Sequence, residues 1–258
     1  MGKIISYSNQ KGGVGKTTTC VNMAAYLAQA GKKVLLIDLD PQGNATTGLG
    51  FQKSSLKKSV YNVIIEGEPV RDNVLETVLP NLFILPANID LAGAEVDLVY
   101  KKNRDKVLRA ALEPVKSAYD YLLIDCPPSL GLLTINALAA SDSAIIPIQS
   151  EYYALEGLSQ LMNTIKLVQQ HLNRSLKVEG VVLTMYDGRS LIAKQIAAEI
   201  KTFFSKKLYE IVIPRNIRLS EAPSHGKPIL LHDPKCMGAR AYAALTEEFL
   251  KKTEGKGE

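Results

Sequence analysis

The chain has no tryptophan, 6% aromatic residues, and only three cysteines and three histidines in 258 residues. Each scarcity closes a route. Cys20, Cys126 and Cys236 are far apart, odd in number and in no C-x-x-C, so they read as buried reduced thiols rather than a disulfide framework or a zinc site. His171, His225 and His232 form no metal-spaced pair and read as structural. No apolar run approaches the length that spans a bilayer and the N-terminus lacks a secretory pattern, so the cytoplasm is the expected compartment. No aromatic set for stacking bases and no helix-turn-helix is evident. Internal repeats and composition shifts are absent too. Residues 1–258 therefore read as a single domain, with a polar tail at about 251–258.

What is present is an ordinary globular composition, 46% apolar and 22% charged, with an uneven charge. Residues 1–160 carry 15 basic against 16 acidic side chains, whereas residues 161–258 carry 16 against 10. A basic C-terminal third points to a polyanionic partner, although so small an excess also serves plain solubility.

The most informative stretch is Asn9-Gln10-Lys11-Gly12-Gly13-Val14-Gly15-Lys16-Thr17-Thr18-Thr19. An apolar run (Ile4, Ile5, Tyr7) enters it and a helical pattern from Cys20 to Ala30 leaves it. Strand, glycine-rich turn and helix in that order make a phosphate-binding loop, because the glycines let successive N–H groups converge on an anion at the positive end of a helix. Lys16 would reach the β- and γ-phosphates, and the Thr17 hydroxyl would ligate Mg²⁺. The usual G-x-x-x-x-G-K-[ST] pattern places glycine at position 10, where this chain has Gln10, followed by a second lysine, Lys11.

Further along, residues 3–8 read as a strand and 16–30 as a helix that Gly31 ends in the left-handed region. Lys33–Asp38 reads as a strand covered on both faces, ending in Asp38-Leu39-Asp40-Pro41-Gln42-Gly43-Asn44. Carboxylates at that end of a central strand sit where open α/β sheets bind ligands. Asp40 would position the attacking water and Asp38 would lie nearer the Mg²⁺ shell, although either could cap the following turn. Residues 45–80 are less informative. Leu82–Pro86 reads as a strand, Leu91–Lys116 carries helical periodicity, and Tyr121–Asp125 before Cys126-Pro127-Pro128 is an apolar strand ending in Asp. Asp125 there would hold the metal's water shell. Ser143–Ile148, Val178–Met185 and Leu208–Ile213 read as further strands. Ala154–His171, a stretch ending at Phe204, and Gly238–Leu250 read as helices. The alternation indicates an α/β fold, a doubly wound, mostly parallel sheet flanked by helices.

The run KGGVGKTT resembles the deviant Walker A motif of the ParA/MinD/nitrogenase-iron-protein group of P-loop ATPases. Together with LLIDLDPQGNAT, LIDCPPSLGLLTINAL, EYYALEGLSQL and IPRNIRLSEAPSHGKPI, it is similar to the chromosomal ParA or Soj family over nearly the whole chain. The resemblance implies slow hydrolysis of ATP with Mg²⁺, an ATP-dependent sandwich homodimer, and non-specific binding of that dimer to double-stranded DNA. It implies release by a ParB-like centromere-binding partner, a nucleoid-associated location and an influence on replication initiation through DnaA. It places Lys11, Gly12, Gly13, Val14, Gly15, Lys16, Thr17 and Thr18 on the phosphates, with Lys11 crossing to the other subunit's nucleotide. It puts Thr17, Asp38 and Asp125 around the metal, with Asp40, Lys11 and Lys16 serving hydrolysis. Pro214 and Asn216 meet the adenine, and Arg189 and Arg218 meet DNA phosphates. Lys206, Lys207, Lys227 and Lys235 could widen that patch, although single exposed lysines are more often solvated charges.

Three rival classes differ in what they require. A reductase with a bridging iron–sulfur cluster needs paired thiolates, and Cys126 has no neighbour in its region. A protein that only coats DNA has no need of Asp40 beside a complete Mg²⁺ set. A MinD-like membrane-cycling ATPase needs a C-terminal amphipathic helix that enters lipid, whereas this chain closes on Lys251-Lys252-Thr253-Glu254-Gly255-Lys256-Gly257-Glu258. With ATP present, the protein is therefore expected to stay in the supernatant when liposomes are sedimented, and pelleting with them would reverse that choice.

Overall fold

Seven strands form one sheet in the computed structural model, which describes residues 2–151 and 154–255. Tyr152 and Tyr153 of the EYYALEGLSQL run and residues 256–258 of the expected tail lie outside the described residues. The strands are β1 (Lys3–Tyr7), β2 (Val34–Asp38), β3 (Leu75–Glu76), β4 (Leu82–Leu85), β5 (Tyr121–Asp125), β6 (Ser143–Gln149) and β7 (Lys177–Thr184). Their order is β3-β4-β2-β5-β1-β6-β7, parallel throughout except for the short antiparallel pair β3–β4. Between the strands run α1 (Lys16–Gln29), α2 (Asn44–Gly48), α3 (Ala94–Val99), α4 (Val107–Leu112), α5 (Leu132–Ala140) and α6 (Ala154–His171). After β7 come α7 (Leu191–Phe204), α8 (Ile217–Glu221), α9 (Ile229–His232) and α10 (Met237–Glu254).

Side chains alternate across a strand, so adjacent residues serve opposite cores. Ile5, Tyr7, Leu36 and Leu123 face α1 and α10, whereas Ile4, Leu35, Ile37, Leu122 and Ile124 face the layer of α3, α4 and α5. A third cluster packs Ile146, Ile148, Val181 and Leu183 against α6 and α7. Every residue of β2 and β5 is buried, as unbroken apolar runs require. Helix α1 stops as the sequence predicts. Gly31 has φ +83°, its N–H bonds Ala28 O, and Lys32 N–H reaches back to Leu27 O, closing the last carbonyls of the helix.

Several boundaries differ from the sequence reading. Leu91–Lys116 is not a continuous helix: α3 and α4 are separated by a turn with Asn103 at φ +55°, and 3₁₀ turns flank them at Ile89–Gly93 and Glu113–Ala118. Helix α5 carries no amphipathic stripe because it is buried nearly all round, so periodicity could not reveal it. Leu208–Ile213 is not a strand. Tyr209 N–H bonds Val181 O at 2.9 Å and Ile213 N–H bonds Leu183 O at 2.8 Å, but between them the N–H groups of Glu210 and Ile211 turn to the Glu248 carboxylate at 2.9 and 3.0 Å. A charged acceptor on α10 takes the donors that a ladder needs, so the segment is a strap pinned to β7 at its two ends. The polar tail begins later than expected. Lys251–Glu254 continue α10, and Glu254 accepts from Tyr121 Oη at 2.8 Å and pairs with Lys32.

Loss of the strap's acceptor should cost less than loss of the core beneath it. Glu248→Ala is expected to lower unfolding free energy by about 1 kcal/mol, because both orphaned N–H groups lie near water. Phe249→Ala removes a fully buried ring, stacked edge-on to Tyr121 at 5.4 Å, and should cost about 3–5 kcal/mol. Urea unfolding of both variants with unchanged m-values checks the order.

Candidate active site

Open α/β sheets bind ligands beyond the carboxyl ends of their strands, where neighbouring connections diverge. Here Tyr7 and Asp38 are both register partners of Asp125, so β1, β5 and β2 end side by side. From β1 the chain enters the glycine-rich loop. Asn9 anchors its start, donating from Nδ2 to Pro147 O at 2.7 Å and accepting Lys11 N–H on Oδ1 at 3.0 Å. Gly13 and Gly15 have φ of +74° and +81°, a conformation that a side chain would strain. Thr184 Oγ1, at the end of β7, ties the loop down by donating to Val14 O at 2.7 Å.

Gly15 caps α1 without a side-chain acceptor, and no acidic residue occupies the first turn. That positive helix end opens into a cavity of about 730 Å³ lined by Gly12, Gly13, Lys16, Thr17 and Thr18, with Asp40 beside them and Pro214 and Asn216 across from them. A helix N-terminus with free N–H groups in a space of this size suits a phosphate chain with a nucleoside attached. Lys16 is buried, its Nζ donates to Lys11 O at 3.1 Å, and burial pulls its pKa down against the upward pull of Asp125.

The carboxylates are unequal. Asp38 is fully buried and already engaged: Oδ2 accepts Thr46 N–H at 2.7 Å and Thr46 Oγ1–H at 2.6 Å, and Oδ1 accepts Asp40 N–H at 3.3 Å. Burial lifts its pKa to about 6 despite those bonds. Thr46 Oγ1 also accepts Ala87 N–H at 2.9 Å, so one threonine joins the ends of β2 and β4. Asp40 is buried, and its Oδ1 accepts Gln42 N–H at 2.9 Å. Asp125 is the outlier, with both oxygens buried and neither accepting a hydrogen bond. Burial and then Asp38 push its pKa well up, opposed by Thr17, which faces it without hydrogen-bond geometry.

An orphaned buried carboxylate is costly unless a cation or ordered water completes it. Among the described residues no three His, Cys, Asp or Glu side chains form a metal cage. That donor set fits Mg²⁺, which keeps most of its waters and takes one or two carboxylates plus phosphate oxygens.

The remaining sequence-predicted residues fall in three places. Lys11 is half exposed, and its Nζ meets Glu151 Oε2 of the same chain at 2.5 Å. Pro214 bridges to Tyr186, and Asn216 Oδ1 accepts Arg218 N–H at 2.9 Å, capping α8. Arg189 and Arg218 stand outside the cavity lining on exposed surface, Arg189 in the turn after β7 and Arg218 within α8 rather than after a strand. His225 and His232, seven residues apart in sequence, stack at 4.8 Å. Sequence reasoning passed over Asn9, Thr46 and Thr184, and also Arg215, which lines the cavity beside Pro214 and Asn216. Only Asn9 carried a local signal, as the polar residue opening the loop.

The pattern of the family described as an AAA domain matches residues 2–178. The sporulation initiation inhibitor protein Soj of Bacillus subtilis is 59% identical over 248 residues, covering 96% of this chain and 98% of that protein. The chromosome partitioning protein ParA of Myxococcus xanthus is 53% identical, covering 99% and 90%. Among solved structures, cobyrinic acid a,c-diamide synthase of Mycobacterium smegmatis with bound ATP analog and magnesium superposes with a TM-score of 0.85 at 35% identity, covering 99% and 97%.

The carboxylate cluster gives a pH-dependent expectation. A carboxyl with a raised folded pKa contributes stability below its unfolded value near 4, and that contribution is lost as pH rises through the folded value, about 6 for Asp38. In nucleotide-free protein Asp125→Asn should therefore raise the melting temperature, by about 2–4 °C for each kcal/mol relieved, with the largest gain at alkaline pH. The gain should shrink as pH falls and the parent's carboxyl takes up a proton, and the added stabilisation from ATP with Mg²⁺ should fall. Thermal melts from mildly acid to alkaline pH check the sign.

Proposed function

We propose, on the premise that the chain belongs to the ParA/Soj family of chromosome-partitioning ATPases, that it is an ATP-timed switch for DNA segregation. The protein is an ATPase that uses ATP with Mg²⁺. In the proposed cycle two copies close over two nucleotides, and the closed dimer grips double-stranded DNA through its phosphates. A ParB-like partner speeds hydrolysis, and the copies let go. Repeated release and rebinding on the nucleoid would carry the segregating DNA, and DnaA is a second candidate partner. The observation that carries the reading is the unpartnered Asp125 carboxylate beside Thr17 and below an uncapped helix end.

In this reading Gly12, Gly13, Val14, Gly15 and Thr18 present backbone N–H groups to the phosphates, and Lys16 adds a buried positive charge. Bound Mg²⁺ supplies charge neutralisation at the phosphate oxygens. Thr17 and Asp125 hold its shell, and Asp38, bound to Thr46, braces the loop that carries Asp40. Asp40, fixed by the Gln42 N–H, orients the attacking water. Asn216 spends its oxygen on Arg218 N–H, which leaves its amide nitrogen as the donor toward a purine. Pro214 flattens the facing wall. Lys11 must leave Glu151 before it can reach across to a second nucleotide, where two polyanions face to face need cations between them. Helix α10 is packed through Leu245 and Phe249, which keeps its apolar side off any lipid surface.

Two substitutions separate binding from turnover. Lys16→Ala should lose nucleotide, dimer and DNA binding together. Asp40→Ala should still dimerise and bind DNA while hydrolysis falls by about 100-fold or more. Gel filtration with light scattering, DNA binding at matched salt and phosphate release read the three steps. A protein that stays monomeric with a non-hydrolysable ATP analogue, or binds DNA equally without nucleotide, contradicts the proposal.

A further inference from the structure

The two arginines placed on the DNA-facing surface are not free cations. Arg189 makes a two-pronged pair with Asp187, Nε to Oδ1 at 3.0 Å and a terminal nitrogen to Oδ2 at 2.9 Å, and Asp187 Oδ1 also accepts Arg189 N–H. Arg218 meets Glu221 Oε2 at 2.8 Å and Asp233 Oδ2 at 3.6 Å. Three carboxylates thus stand on two arginines that otherwise face solvent. Such exposed pairs contribute little to folding. Asp187 and Arg189 share one turn and Arg218 and Glu221 share α8, while Asp233 and His232, which approach Arg218 and Glu221 at 3.6 and 3.9 Å, connect α8 to the end of α9.

We propose that Asp187 and Glu221 are built-in attenuators of polyphosphate binding, lowering the positive potential at Arg189 and Arg218 so that one copy grips nucleic acid too weakly to stay bound. This inference rests on the reading of Arg189 and Arg218 as phosphate contacts. A phosphate approaching either guanidinium must displace a carboxylate that already satisfies it, and it meets that carboxylate's charge while doing so. At about 6 Å in water a like charge weakens the approach about threefold at low salt. The penalty applies to each arginine in each copy. A single copy then has little net attraction, and two copies held together by nucleotide bind bivalently and recover it through effective concentration. Asp187 cannot be relieved by mild acid, because its hydrogen bonds to Arg189 hold its pKa down at about 2. The attenuation yields to salt and to DNA itself.

The test uses full-length protein carrying Asp187→Asn and Glu221→Gln together. Each amide keeps an oxygen of the same shape, so the turn bond to Arg189 N–H survives. Anisotropy of a labelled random-sequence duplex is measured with a non-hydrolysable ATP analogue and with no nucleotide, beside Arg189→Ala/Arg218→Ala. At low salt the amide variant should bind about tenfold more tightly than the parent as a single copy and up to about 100-fold as the nucleotide-held dimer, with detectable binding even without nucleotide and a gain that shrinks as salt rises. Unchanged or weaker binding by the amide variant, with binding lost in the arginine variant, overturns the attenuation and leaves the DNA reading in place. Unchanged binding in both variants overturns the DNA reading and the attenuation with it. An unchanged melting temperature and elution volume in the amide variant separate a gain in affinity from aggregation of a damaged fold on DNA.

Discussion

Negative charge collected at the carboxyl ends of adjacent parallel strands is the constraint that the rest of the molecule answers. Register puts Asp38 beside Asp125, and Asp40 follows two residues later. Three carboxylates in a buried space repel one another, and water is not there to screen them. Thr46 satisfies Asp38, Gln42 satisfies one oxygen of Asp40, and Lys16 lies opposite, yet Asp125 is left with no protein donor. The site carries stored repulsion that a hydrated cation relieves. In the proposed cycle, binding of Mg²⁺ with a triphosphate would act on the loop that holds Asp40 through this cluster.

The segment from Tyr186 to Glu221 makes a second connection. Tyr186 N–H bonds Ile213 O, Pro214 bridges to Tyr186, and Asn216 caps the short helix that bears Arg218. The wall of the nucleotide cavity and the exposed arginines are therefore parts of one hydrogen-bonded unit. Glu248 holds the strap leading into it. An irregular strap is better suited to this than a sheet strand, since a strand's donors would be committed to the ladder.

Much of the fold was legible in the sequence because its strands are buried on both faces. Runs such as Val34-Leu35-Leu36-Ile37 and Leu122-Leu123-Ile124 have no polar side to hide, and few other structures use them. The glycine-rich loop was equally legible, since its turn and the start of α1 are set by neighbouring residues. Elements whose form is set by distant partners were not. Leu208–Ile213 has a strand's composition, but the Glu248 carboxylate takes its central donors. Helix α5 is hidden by its own burial.

The sequence alone determined the central parallel strands, the glycine-rich loop with the helix that follows it and the acidic residues that close β2 and β5, because each is written in neighbouring residues. Tertiary structure decided what those groups are free to do. It assigned Asp38 to Thr46, left Asp125 unpartnered, set Lys11 against Glu151 and gave both exposed arginines a carboxylate. A charge has a meaning only relative to what stands within a few ångströms of it. For Lys11 that neighbour is 140 residues away along the chain.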